Sequence, residues 1–220
     1  CNIATVAHAR LASAGGAADG ATATLSSLDV DAPLNHAGNF GDSADPPGSL
    51  GDRSAARRQV EDAIASPSTT RIRLALNPDR SADWTVAVRY SLGDENETDA
   101  FRTAGERFRA GEVGPDAALF EGFRREASRN VDRSMSIGGV EREVEVYEDP
   151  SEFDVASEDA VAVGEFRLRF TWTAFLAQEE ENLILGDALT TPGNETWLRS
   201  LEAGQTLEVA TPEGYTVTGT

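Results

Sequence analysis

The sequence predicts an α+β fold, an antiparallel β-sheet with two amphipathic helices packed on one face, preceded by a low-complexity N-terminal stalk. Three observations carry this expectation. Apolar and polar residues alternate in Arg71–Leu76, Trp84–Tyr90 and Phe166–Thr173, the two-residue period of strands with one buried face. Between those runs, Phe101, Ala104 and Phe108 recur at helical spacing, and so do Leu119, Phe120, Phe123, Ala127 and Val131. Almost all the large hydrophobic residues fall after residue 70.

Taken in order, residues 1–52 are rich in Ala, Gly, Ser, Thr and Asp, hold Phe40 as their sole aromatic and show no sustained period, which reads as a linker or stalk. Within it, Ala21-Thr22-Ala23-Thr24-Leu25 is a weak strand candidate. Residues 53–70 form a short helix and connector, with Val60 and Ile64 at i, i+4. The folded α+β unit spans 71–220. It opens with a hairpin turning at Asn77–Asp83, whose Trp84, Val86, Val88 and Tyr90 point inward together.

Asp94–Asp99, dense in acids and capping residues, precedes a helix over about 97–110, with Asn96 or Thr98 as its cap. A second helix opens at Pro115, after Gly114. Beyond Gly138-Gly139, Val140, Val144 and Val146 mark a strand, and 161–176 marks a long central one. Gln178–Asn182 is an acidic turn into Leu183-Ile184-Leu185, and Leu207 and Val209 mark the last strand. No internal repeat is present.

Charge restricts the environment and the partners. The chain has no lysine: its 19 cations are all arginine, against 38 Asp and Glu, for a net charge of −19. Such self-repulsion destabilises a compact state at low ionic strength and is screened at ~1 M salt, where the Debye length is about 3 Å. The expectation is a halophilic protein. Strong negative charge argues against nucleic acid as a partner, because affinity for phosphates comes from Lys and Arg. No run approaches the length of a membrane-spanning helix, so membrane contact is expected only through an anchor.

Both histidines, His8 and His36, lie in the stalk, which removes Ser-His-Asp and Cys-His schemes and His- or Cys-based zinc sites from the folded unit. There is no phosphate-binding loop, no EF-hand spacing and no lysine for a Schiff base. Catalytic, cofactor-binding and metal-ligating residues are therefore assigned to none. The acidic runs Asp94-Glu95, Glu148-Asp149, Glu158-Asp159 and Glu179–Glu181 read as solvated turns. Cys1 is a candidate lipidation residue, as the residue left after cleavage of a lipoprotein signal, or simply an arbitrary start. Asn96-Glu97-Thr98 and Asn194-Glu195-Thr196 fit the N-glycosylation pattern at Asn96 and Asn194, and helix capping is the competing reading of both.

Trp84–Tyr90, Leu92 and Asp94–Phe101, then Phe170–Phe175, Leu185–Leu189 and Pro212–Tyr215, resemble in order the signature segments of a haloarchaeal extracytoplasmic domain of unknown function. The resemblance covers roughly residues 71–215. Members of that family often carry a secretory signal, this domain, one membrane helix and a cytoplasmic winged-helix DNA-binding segment, so the resemblance implies an exported sensing or interaction module and no catalytic residues. This chain stops at Thr220, before any such helix, which leaves either a missing remainder or reuse of the module on a lipid-anchored or secreted protein.

The resulting expectation is a non-enzymatic sensing or binding domain at the cell surface. Its partner would be a small molecule or a surface protein, and its contact aromatics would come from Trp172, Phe175 and Trp197, the first two reading better as core. The alternatives are a structural surface or filament subunit, with the N-terminal segment as tether or added strand, and a carboxylate-dependent hydrolase needing two acids in a cleft.

Overall fold

The computed structural model describes residues 9–13, 22–26, 67–153, 159–190, 201 and 203–218. Ten strands occur among these residues: β1 (Ala9–Ser13), β2 (Thr22–Ser26), β3 (Thr69–Leu76), β4 (Ala82–Leu92), β5 (Ser136–Tyr147), β6 (Ala162–Thr173), β7 (Ala177–Glu179), β8 (Asn182–Leu185), β9 (Gln205–Ala210) and β10 (Tyr215–Thr218). Two helices, α1 (Glu95–Arg109) and α2 (Ala117–Ala127), separate β4 from β5. The main sheet has five strands in the order β9-β3-β4-β6-β5, extended past β9 by β2. A second sheet runs β10-β1-β8-β7. The mixed α+β content agrees with the alternation and helical spacing in the sequence.

The hairpin β3–β4 forms because Asn77–Ser81 closes on itself. Asn77 N–H donates to the Ser81 carbonyl at 2.9 Å, while the Asp79 carboxylate accepts from the Ser81 amide at 2.9 Å and from its hydroxyl at 2.6 Å. Those two bonds hold the Asp79 carboxyl below its usual range. Past the turn, Trp84, Val86, Val88, Tyr90 and Leu92 are all buried.

At α1 the cap is Asp94, not Asn96 or Thr98. Its carboxylate accepts from the Glu97 amide at 2.8 Å, and the Glu97 carboxylate accepts from the Gly93 amide at 2.6 Å, a variant of the capping box that satisfies one orphan helix donor and the amide just before the cap. Thr98 is buried and donates its hydroxyl to the Asp94 carbonyl. The helix starts two residues earlier than the spacing predicts because this pair acts ahead of the first apolar residue.

Rings from α1 set the core at one end of the sheet. The Phe166 ring stacks on Phe101 at 4.6 Å and on Phe108 at 4.7 Å between centroids, and Tyr90 meets it edge-on at 5.4 Å. Gly164, two residues upstream on β6, admits the Phe101 ring: a Cβ there would lie 2.6 Å from it. At the other end Trp84 stacks on Phe170 and touches Phe120 of α2, Trp172 and Phe175.

Four expectations change. β9 runs parallel to β3, from Thr70 opposite Gln205 to Ala75 opposite Ala210, so the sheet is mixed. The chain between β3 and β9 carries both helices and the rest of the main sheet, far more than the crossover a parallel pair requires, and alternation does not encode strand direction. Leu119 is exposed, because the buried stripe of α2 runs through Ala117, Phe120 and Ala127 with Arg124 at its centre. Val140 is exposed because the register with β6 slips between Gly138 and Glu141, a bulge that removes it from the alternation of Val144 and Val146. Ala9–Ser13, inside the stretch read as a stalk, is a strand, and Thr22–Ser26 is one where Ala21–Leu25 offered a weak candidate.

Gly164→Ala is expected to lower stability by about 1–3 kcal/mol, the cost of overpacking a filled core, in urea unfolding at high KCl. Stability within about 0.5 kcal/mol of the parent would mean that the Phe101 ring does not sit over Gly164.

Candidate binding face

Alternation that buries Phe166 and Leu168 sends Glu165, Arg167 and Arg169 to the opposite side of β6. The registers align these residues with polar neighbours in three rows. Arg89 faces Glu165, which faces Glu145; Arg71 faces Ala87, then Arg167 and Glu143; Arg73 faces Thr85, then Arg169 and Glu141. Five of the chain's arginines thus share one sheet face, interleaved with acids.

Glu165 is the centre of this lattice and only 1% exposed. One carboxylate oxygen accepts from Arg89 Nε at 2.7 Å and the other accepts from Arg167 Nη2. Arg167 also reaches Glu143 at 3.2 Å and Glu145 at 3.4 Å, and Arg169 donates to Glu143 at 2.9 Å. Burial works against the Arg167 charge, but the Glu165 carboxylate and a bond to the Tyr147 hydroxyl outweigh it and hold the guanidinium above its usual range. Burial also raises the Tyr147 phenol, helped by its hydrogen bond to Glu145 and by the charge of Glu165.

The lattice closes at one end beneath an aromatic lid. Asp149 caps the short 3₁₀ turn Pro150–Glu152, accepting from the Ser151 amide and hydroxyl, which lowers the Asp149 carboxyl from its usual range. The turn delivers Phe153 to Tyr147, at 4.6 Å between centroids, with the Arg89 guanidinium 4.7 Å from the Phe153 ring. At the open end Arg71 is exposed and Arg73 keeps 56% of its side-chain exposure, with a 3.4 Å ion pair to Glu208.

A second arginine is structural. Arg133, after α2, donates Nε to the Ala174 carbonyl and Nη2 to the Phe175 carbonyl, each at 2.6 Å, and grips both oxygens of Asp187. Ala174, with φ at 52°, lies in the turn that leaves β6. The sequence offers no signal for this clasp, since Arg133 sits in a polar stretch beside Asp132 and Ser134.

Of the residues singled out from sequence, Trp172 and Phe175 are fully buried core, and Trp197 lies outside the described residues. Asn96 is exposed on the first turn of α1; Cys1 and Asn194 lie outside the described residues. Asp94-Glu95, Glu148-Asp149, Asp159 and Glu179–Glu181 are exposed, and Glu158 lies outside. Among the described residues no group of three or more His, Cys, Asp or Glu is arranged to hold a metal ion, and no helix is long and apolar enough to cross a membrane.

A family profile matches residues 73–215, and the chain belongs to that family, a domain of unknown function designated DUF7345. The match runs from β3 to the first residue of β10, covering the five-stranded sheet, both helices and the Arg133 clasp. No curated protein and no solved structure matches the chain.

Glu165→Gln is expected to cost about 3–5 kcal/mol in urea unfolding, because it leaves two guanidinium groups facing a neutral amide. Glu143→Gln, on a half-exposed acid, is expected to cost less than about 1 kcal/mol in concentrated salt. Equal costs for the two would contradict the central place given to Glu165.

Proposed function

We propose that this chain is a non-enzymatic, extracytoplasmic binding and sensing domain on the surface of a halophilic archaeon, the outer portion of a membrane-anchored regulator. The observation that carries the reading is the arginine-bearing sheet face. We take both helices to cover the apolar side of the sheet, which makes the opposite side of β3, β4 and β6, with its rows of arginine and glutamate, the polar platform. On a protein of net charge −19, exposed Arg71 and Arg73 beside half-exposed Arg169 offer an anionic ligand three guanidinium groups on one face.

The same geometry speaks against proton-transfer chemistry at Glu165. A general acid or base needs a carboxyl free to exchange its proton, and Glu165 has both oxygens taken by guanidinium donors. The halophilic reading is supported by the solvent-facing acids at α1 and the β7–β8 turn, whose mutual repulsion concentrated salt removes. A glycan on Asn96 would project into solvent from the first turn of α1.

Two experiments test the proposal. Melting curves with small di- and tricarboxylates at constant ionic strength of about 1 M are expected to show a rise in Tm of several degrees for the parent and none for Arg71→Ser/Arg73→Ser. Equal responses, or none in either, would remove the anionic ligand. External protease on intact cells held in brine is expected to degrade the chain, and full protection would place it inside the cell.

A further inference from the structure

The second sheet is built from distant parts of the sequence. β1 lies between β8 and β10, with Ala9 opposite Leu185 through Ala12 opposite Asn182 on one side and Arg10 opposite Thr218 through Ser13 opposite Tyr215 on the other. Among the described residues β10 has no other strand neighbour. β2 lies along β9, with Thr22 opposite Ala210 through Ser26 opposite Thr206. Neither β1 nor β2 falls within the 73–215 match, so the family portion carries two backbone edges completed by residues outside it.

We propose that the N-terminal segment bearing β1 and β2 is an exchangeable clasp, which at high local concentration seats between β8 and β10, and along β9, of a second copy of this chain. An exchanged strand makes the same backbone hydrogen bonds in the same register, so exchange loses nothing at the seat itself. β2 ends at Ser26 and β3 begins at Thr69. A connection of roughly 40 residues has a contour of up to about 140 Å, so chain length does not confine the clasp to its own domain. β1 is also short, and its Ala9, Ala12 and Ser13 favour strands weakly, so it opens at low cost. Once open, β8 and β10 present unpaired backbone groups that a neighbour's strand satisfies as well as the chain's own. This inference does not rest on the ligand-binding reading above.

The arithmetic sets where exchange shows. A strand tethered beside its own seat competes at an effective concentration on the order of 1 mM, so the self-seated form dominates at micromolar protein and exchanged copies reach about half near 1 mM.

Disulfide trapping tests this on the full chain in a Cys1→Ser background. Leu11 and Val217 are register partners, and opposed antiparallel residues have Cα atoms about 4.5–5.5 Å apart, within disulfide range. The double variant Leu11→Cys/Val217→Cys is expected to close within one chain at low concentration. Leu11→Cys and Val217→Cys chains, refolded together from urea at about 1 mM in high salt, are expected to give a disulfide-linked heterodimer in large yield, falling to about a tenth at 0.1 mM.

Closure in the double variant without any heterodimer would mean that the strand seats only on its own chain. Failure of the double variant to close would remove β1 from the seat. Equal yield when Leu11→Cys is paired with Arg102→Cys, exposed on α1, would reduce the heterodimer to random collision. Suppression by an unrelated extended peptide, as effective as one spanning residues 6–16, would replace the second copy with any extended partner.

Discussion

Glu165 and Phe166 are consecutive, and their side chains leave β6 in opposite directions into two environments that cannot be exchanged. Phe166 enters a stack of rings from α1, and Glu165 enters a pair of guanidinium groups. Sliding β6 by one residue against β4 or β5 would put a carboxylate among phenyl rings and a ring among arginines. That double constraint fixes the register of the three central strands. The seats of both helices and the rows on the polar face follow from it.

The two faces answer salt differently. Ion pairs with exposed members, such as Arg102 with Asp99 or Arg73 with Glu208, lie where brine screens them and contribute little. The Glu165 group is withdrawn from solvent, with Arg89 and Arg167 at 19% and 21% side-chain exposure, and is screened far less. Its value is more in specifying one arrangement than in raw stabilisation, since moving three charged groups out of water offsets much of their attraction. Arginine suits the position because its planar fork serves two acceptors at once, as Arg167 does for Glu165 and Glu143.

Much of this was readable in advance where one physical signal dominates. Two-residue alternation located β3, β4 and β6 because each has one face in a continuous core, and Phe101, Ala104 and Phe108 located α1. Signals failed where the cause lay elsewhere in the chain. A period says nothing of strand direction, hence the parallel β9, and a bulge at Gly139 breaks alternation without leaving a pattern of its own. β1, short and rich in Ala and Ser, becomes a strand through its neighbours, whereas β2 left a weak alternation at Ala21–Leu25. The candidate face was the least legible part: Glu165 and Arg167 read as ordinary outward residues of one strand, and only the registers of β4 and β5 bring Arg89, Glu143 and Tyr147 to them.

Arg133 shows what the arginine-only composition does for the fold. Its donors tie the segment after α2 to the turn leaving β6 and to Asp187, a task beyond an ammonium with three hydrogens on a single nitrogen. With no lysine anywhere in the sequence, the side chains of this protein carry no primary amine. Modifications that need a lysine amine, such as isopeptide tagging and Schiff-base formation with a sugar aldehyde, therefore find no side-chain foothold, and trypsin-like enzymes are confined to arginines, several of which are already held in place by carbonyls and carboxylates.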